Sequence, residues 1–204
     1  MQIKFVKKIA EKLNLTLVIP LYKTIPIGNS QELLDELKSI YQLLLNKNDN
    51  IYLIGDSAGG GSILSLNLVL NKEQIKNPQA IIMLSPWLDL SLNNPKINEK
   101  KDIVCSITGN RYCGKIWASK YDIKDYRVSP IFGNFDCLNK VFISCGGNEI
   151  CQSDCIEFVN KLKKLKINYK FVQFNNQFHN FELYPMPESK ILIEEIYKYI
   201  KKGE

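Results

Sequence analysis

The stretch IYLIGDSAGGGSILSLNLVL (51–70) changes character twice. Its first residues, IYLIG (51–55), form a short apolar run that is typical of a buried strand. Its last residues, SILSLNLVL (62–70), are apolar on nearly every side, as expected of a buried helix. Four glycines surround Ser57 where these two segments meet: one ends the first segment and three lie between the two. The stretch therefore predicts a strand, a tight turn and a helix in direct succession.

Other segments repeat this alternation and predict an α/β fold. Apolar periodicity and capping residues predict helices over 3–13, from Asn29 or Ser30 onward, over 153–166 and over 187–201. Strands that are apolar throughout, without alternation, indicate a mostly parallel sheet with helices on both faces. The further strands are predicted at LTLVI (15–19), AIIML (80–84), KVFISC (140–145) and YKFVQF (169–174).

The chain length predicts one domain over residues 1–204. Residues 92–128 are polar and irregular, and the segment RYCGKIWASKY (111–121) within them predicts a helix. We expect this region to be an insertion over the functional site. Trp87 and Trp117 fall in or near it, and each is a candidate either for the core or for the wall of a binding site.

Composition narrows the classes of partner. The net charge is +6, from 27 Lys and Arg against 21 Asp and Glu, but no base-stacking aromatic residues interleave with the lysines. This pattern indicates solvated helix faces and excludes nucleic acid as the expected partner. No apolar run approaches the ~18 residues that suggest a membrane span. The N-terminus has no signal-peptide pattern, so a cytoplasmic location is expected.

Six cysteines could suggest disulfides or a metal site. A chain of this length does not need disulfides to build a core, so reduced, structural cysteines are expected. Cys151 and Cys155 are four residues apart and would share one side of a helix. Zinc would need further ligands, and the chain has one histidine. We therefore predict no metal and no cofactor.

Ser57 is the candidate nucleophile. Gly55 to Gly59 fit the pattern G-x-S-x-G, in which a serine stands on a sharp strand-to-helix turn. The backbone N–H of Ala58, at the start of the following helix, is placed to bind an oxyanion. GDSAGG also resembles the GDSGG of chymotrypsin-like proteases, but those proteins are all-β and carry their histidine before the serine.

The serine needs a base, and the base needs an orienting acid. His179, in the loop NNQFHNF (175–181) after the last predicted strand, is the sole imidazole. The loop SCGGNEICQSD (144–154) offers two acids, Glu149 and Asp154. Glu149 is favoured because it lies nearer the end of the strand, whereas Asp154 is expected in the first turn of a helix.

Several separated motifs resemble the hormone-sensitive-lipase-like (alpha/beta hydrolase fold-3) esterases. GDSAGGG (55–61) is similar to the nucleophile motif of that family, and IIMLSPWLDLS (81–91) to the segment after its next strand. RVSPIFGNFDCLNKVFISCGGNE (127–149) resembles the approach to the acid, and FVQFNNQFHNF (171–181) the histidine loop. The resemblance implies an α/β-hydrolase fold, with Ser57, Glu149 and His179 as nucleophile, acid and base.

One family motif is missing from the sequence. The family carries a His-Gly-Gly-Gly motif, which supplies oxyanion donors, ahead of the first helix predicted here. We therefore expect an N-terminally truncated member in which Ala58 supplies the donor. The predicted function is hydrolysis of short acyl or acetyl esters through an acyl-enzyme. The alternative is an impaired member that acts as a small-molecule binding module, or an inactive fragment.

Overall fold

The computed structural model describes residues 2–48, 50–98 and 102–202, and its centre is a parallel sheet. The sheet has four strands in the order β1-β2-β3-β4. Asp56 pairs with Leu84, and Gly146 pairs with Phe174, so the carboxyl ends of the strands lie along one edge. The strands are β1 (Tyr52–Asp56), β2 (Ala80–Leu84), β3 (Lys140–Gly146) and β4 (Asn168–Phe174).

Helices cover both faces of this sheet, as the sequence predicts. They are α1 (Gln2–Leu13), α2 (Ser30–Leu45), α3 (Ala58–Lys72), α4 (Ile107–Ala118), α5 (Gln152–Lys164) and α6 (Pro187–Tyr197), which continues as a π-helical turn (Lys198–Lys202). Short 3-10 helices lie at Pro130–Phe132 and Phe181–Leu183. In the described parts of the chain, no helix is both long enough and apolar enough to cross a membrane.

The central strands β2 and β3 are largely apolar because both faces of the sheet are buried there, whereas the edge strands β1 and β4 are only half-buried and β4 carries polar residues. In β2, Ile81 and Met83 pack into the core beneath α3 and α5, and Ile82 and Leu84 pack on the opposite face beneath α1 and α6. The predicted α/β fold with a parallel sheet is therefore confirmed.

The apolar character of α3 has the same origin. One side of the helix packs on the sheet through Ile63 and Leu64, and another packs against α2 through Leu66 and Leu70. The side chain of Asn29 caps α2 by accepting hydrogen bonds from the backbone of its first turn. A helix between a sheet and a second helix has little surface left for water, so it needs few polar residues.

The strand predicted at LTLVI (15–19) is wrong. Residues 15–24 have no regular secondary structure, and Val18 and Ile19 are 48% and 41% exposed. An isolated extended segment gains no ladder hydrogen bonds. Within the described residues, β1 pairs with β2 alone, so no strand lies beside its outer edge to receive this segment.

The described residues of the region 92–128, which are 92–98 and 102–128, contain α4 and several turns, and they pack beside the loop that follows β2. Trp87 and Leu90 of that loop share an apolar cluster with Ala118, Val128 and Ile150. The Arg111 guanidinium donates to the backbone carbonyls of the same loop, at 2.7 and 2.9 Å. The region thus joins the segment after β2 to the segment after β3.

Removing the buried aromatic ring of Phe158 should destabilise the whole fold. Phe158 is fully buried on α5, and its ring meets that of Phe135 edge-on at 4.9 Å between centroids. Phe158→Ala is expected to lower the free energy of unfolding by about 3–5 kcal/mol, because a cavity remains. Ile156→Ala, on the 38% exposed side of the same helix, should cost less than roughly 1 kcal/mol in urea denaturation. Equal costs would contradict this placement of α5.

Candidate active site

Ser57 stands on a strained turn between β1 and α3. Its backbone has φ 51° and ψ −120°, a conformation that residues other than glycine rarely adopt. Two hydrogen bonds hold it there: its N–H donates to the carbonyl of Leu84 at 2.9 Å, and its carbonyl accepts from Trp87 N–H at 2.9 Å. The residues at the end of β2 therefore maintain the conformation that presents the Ser57 hydroxyl.

Glycines permit close approach at two points of the site. A Cβ on Gly55 would lie 2.5 Å from the carbonyl oxygen of Gly59, so β1 and α3 could not meet this closely with any side chain there. A Cβ on Gly146 would lie 2.5 Å from the carbonyl oxygen of Gln177. The loop after β4 therefore passes directly over the end of β3.

That loop crosses back over the sheet to bring His179 towards β1. Gly147 N–H donates to the carbonyl of Phe174 at 2.9 Å, and Asn148 N–H donates to that of Gln177 at 3.0 Å. These bonds fasten the loop to the segment after β3. β1 lies two strands beyond β3 in the sheet. Because neighbouring strands are about 4.8 Å apart, the loop must continue across two such spacings to reach β1.

Asn180 makes the remaining contacts across those strands. Its backbone N–H donates to Ser85 Oγ at 3.4 Å, at the end of β2. Its side-chain amide donates to the Asp56 carboxylate at 3.3 Å, at the end of β1. Asp56 also accepts from the Gln2 side chain at 2.8 Å, which connects α1 to the same point.

The result is a line of three side chains. His179 Nε2 lies 2.8 Å from Ser57 Oγ. On the other side of the ring, His179 Nδ1 lies 3.3 Å from Glu149 Oε2, and these two side chains are 4% and 0% exposed. The contact is an ion-pair distance without hydrogen-bond alignment, since neither Nδ1 nor the carboxylate has an aligned partner among the described residues.

Glu149 supplies the charge that favours an imidazolium. Burial lowers the pKa of His179, but the nearby Cys105, Cys151 and Glu149 side chains raise it more, and the net direction is upward. Burial raises the pKa of Cys151 to about 12, so this thiol is neutral at neutral pH. The Glu149 carboxylate is the acidic group that lies at ion-pair distance from the ring, and the dry surroundings strengthen its attraction to an imidazolium.

Asp154, the alternative acid, faces elsewhere. It lies in the first turn of α5, as expected, and its carboxylate accepts from the Asn94 side chain at 2.8 Å. Burial raises its pKa to about 7. Glu149 and not Asp154 stands against the His179 ring.

Ala58 begins α3 and is exposed beside the serine. As the first residue of the helix, its N–H has no intrahelical acceptor and points from the positive end of the helix dipole. A small cavity of about 10 Å³ adjoins Ala58, and both Trp87 and Trp117 line it. Trp87 is 7% exposed and belongs equally to the core, so the two sequence-based interpretations of this residue are compatible.

Sequence reasoning missed Asp102 and Glu182. The Asp102 carboxylate accepts from Ile150 N–H at 2.8 Å, beside Glu149, and thereby ties residues 92–128 to the acid loop. Nothing local marks that contact, because the two residues are 48 positions apart. Glu182 is buried three residues after His179, and burial, then the charges of Glu149 and Asp56, raise its pKa to about 8.

The pKa of Glu182 predicts a pH-dependent stability. Its pKa rises from 4.5 to about 8 on folding, so the folded protein keeps a proton that the unfolded chain loses. Stability contributed by this group is therefore full below about 4.5 and decreases as pH rises towards 8. Across that range, the melting temperature of Glu182→Gln should rise relative to that of wild type as pH increases. Glu36→Gln, at an exposed position, should show no such trend. A constant difference for Glu182→Gln would contradict the assignment.

Comparisons with known proteins identify the family and the fold. The family model described as alpha/beta hydrolase fold matches residues 1–183. An esterase of Acinetobacter venetianus is 29% identical over 87% of the chain and 61% of its own length. An acetyl-hydrolase of Streptomyces hygroscopicus is 23% identical over 85% of the chain and 60% of its own length. The chain thus spans about 60% of the length of these relatives.

Solved structures give the same fold. A candidate esterase from Staphylococcus aureus superposes with a TM-score of 0.93 and 27% identity, over 97% of this chain and 69% of the other. A homologue of hormone-sensitive lipase from a metagenome library superposes with a TM-score of 0.90 and 22% identity, over 97% and 71%. The chain belongs to the alpha/beta hydrolase fold family, as its resemblance to hormone-sensitive-lipase-like esterases predicts.

Proposed function

We propose that this chain carries the catalytic side chains of a carboxylic ester hydrolase, with Ser57 as nucleophile, His179 as base and Glu149 as acid. The observation that carries the proposal is the 2.8 Å contact of His179 Nε2 with the hydroxyl of a serine held at φ 51°. An imidazole at this distance can take the hydroxyl proton, which a serine nucleophile requires. The names of the esterase and acetyl-hydrolase relatives support the reaction class.

The reaction follows from these positions. Ser57 Oγ attacks the ester carbonyl carbon while its proton passes to His179 Nε2. The developing oxyanion accepts a hydrogen bond from Ala58 N–H at the start of α3. His179 then gives the proton to the departing alcohol, and the acyl group stays on Ser57. Water, deprotonated by His179, attacks the acyl-enzyme and releases the acid.

Glu149 acts on the charge of His179 and not on the substrate. Its carboxylate is fully buried, so its attraction to the imidazolium is weakly screened. It keeps its own negative charge through the cycle. Asp154 is bonded to Asn94 and has no part in this proposal.

The proposed substrates are small esters with short acyl groups, such as acetyl. The cavity beside Ala58, of about 10 Å³, has room for roughly one water and hence for a methyl group. Trp117 reaches this cavity from α4, so residues 92–128 would also form part of the cover over the site.

A fluorophosphonate probe tests the nucleophile and its base. Wild type should be labelled at Ser57, as located by peptide mapping, because Ser57 Oγ attacks phosphorus as it would a carbonyl. Ser57→Ala should take no label, and His179→Ala should lose nearly all of it. Ser39→Ala, at an exposed position of α2, is the matched control and should label as wild type does. A folded wild type that takes no label would overturn the proposal and favour a binding module.

Hydrolysis of a p-nitrophenyl acetate substrate distinguishes the two acids. Glu149→Gln is expected to lower kcat by roughly 10³- to 10⁴-fold, because the imidazolium loses its counter-charge. Asp154→Asn, a change of the same kind five residues away, should keep kcat within a few-fold. Circular dichroism confirms that both variants are folded. The opposite ranking would make Asp154 the acid.

A further inference from the structure

Three potential metal ligands meet behind the proposed active site. Cys145 Sγ, Cys155 Sγ and a Glu149 carboxylate oxygen all lie within 4.8 Å of one another. All three residues are buried, at 0%, 0% and 4% exposure. Cys145 lies on β3, Glu149 in the following loop and Cys155 on α5, so one strand–loop–helix unit supplies them. Helical spacing alone pairs Cys155 with Cys151, whereas the fold places it beside Cys145.

The carboxylate oxygens of Glu149 can accept further hydrogen bonds or bind a metal. Both of its oxygens are buried without an aligned hydrogen-bond donor in the described part of the chain. A buried carboxylate is normally hydrogen-bonded or bound to a metal. The 3.3 Å approach of His179 Nδ1 is to Oε2, and Oε1 has no hydrogen-bond partner among the described residues.

The chemistry of the three donors matches a thiophilic cation. Zn²⁺ takes thiolate sulfur at ~2.3 Å and carboxylate oxygen at ~2.1 Å, which places tetrahedral neighbours roughly 3.5–3.8 Å apart. Separations up to 4.8 Å therefore need an inward movement of about 1 Å, within the reach of side-chain rotation. Gly147 and Asn148, which precede Glu149 in the same loop, are partly exposed, so solvent lies close to the cluster in sequence.

We propose that Cys145, Glu149 and Cys155 bind Zn²⁺, and that the bound ion competes with His179 for the Glu149 carboxylate. Binding displaces one proton from each thiol, so two protons are released for each ion bound and the sulfur atoms keep their oxidation state. Occupation removes the counter-charge of the His179 imidazolium. This second effect rests on the proposed ester hydrolase function, whereas the binding itself does not.

Binding is measured first, independently of catalysis. The full chain, reduced with a phosphine and freed of metal, is titrated with ZnCl₂ in a calorimeter and with CoCl₂ in a spectrophotometer. We expect one ion per chain, with a thiolate-to-cobalt charge-transfer band. Cys155→Ser should bind more than roughly 100-fold more weakly, since loss of a ligand exceeds the 10–100-fold effect of losing an outer-shell partner. The double variant Cys113→Ser/Cys137→Ser, at half-buried thiols outside the cluster, should bind as wild type does.

Glu149→Gln keeps both thiols and gives a second test if Cys155→Ser does not fold. It should weaken Zn²⁺ binding and leave a cobalt band with less intensity. Absence of binding by wild type, or equal binding by wild type, Cys155→Ser and Glu149→Gln, would overturn the site.

The effect on the active site is then measured as the rate of fluorophosphonate labelling. One equivalent of Zn²⁺ should slow labelling of wild type at least tenfold, and a chelator should restore it. Binding without any change in the labelling rate would overturn the competition with His179. A metal-free chain that takes no label would overturn the hydrolase function instead, and the calorimetric titration would still decide the zinc site.

Discussion

The path of the loop after β4 is the constraint on which the arrangement depends. β1 and β4 are separated by two strands, yet the serine follows one and the histidine follows the other. The loop reaches across because Gly146 has no side chain and because Gly147 and Asn148 donate hydrogen bonds to it. Everything that supports the ends of β2 and β3 therefore also supports the distance between His179 and Ser57.

The regular elements were predictable where local pattern and tertiary environment agree. β2 and α3 are both covered on two sides, and this appears in the sequence as an apolar run in β2 and as a mostly apolar segment in α3. LTLVI (15–19) carries the same pattern and forms no strand. A strand also requires a neighbouring strand to pair with, and the local sequence pattern does not indicate whether that neighbour exists. Among the described residues, no strand pairs with the outer edge of β1. Val18 and Ile19 are exposed for the same reason, since the neighbouring strand that this segment would need is not there.

The candidate site likewise combines residues that could be predicted from the sequence with contacts that could not. Ser57 and His179 were predictable because a nucleophile turn needs small residues in a fixed order, and because the chain has one histidine. Glu149 could be favoured over Asp154 from its distance to the strand end, and the geometry places Glu149 against the ring. Asp102 and the Cys145–Cys155 pair could not be found, because their proximity depends on contacts between distant segments and on the rotation of α5 against β3.

The backbone of Ser57 places reactivity and stability in opposition at a single residue. A non-glycine residue in such a conformation costs of order 1–3 kcal/mol, against the 5–15 kcal/mol by which typical domains are stable. Glycine would adopt the same φ without that cost, but it carries no hydroxyl. The hydroxyl at this position therefore comes with a cost in folding stability that glycine would avoid. Ser85, in the neighbouring turn, also has a positive φ, of 44°. Its hydroxyl accepts the hydrogen bond from the backbone N–H of Asn180 in the histidine loop.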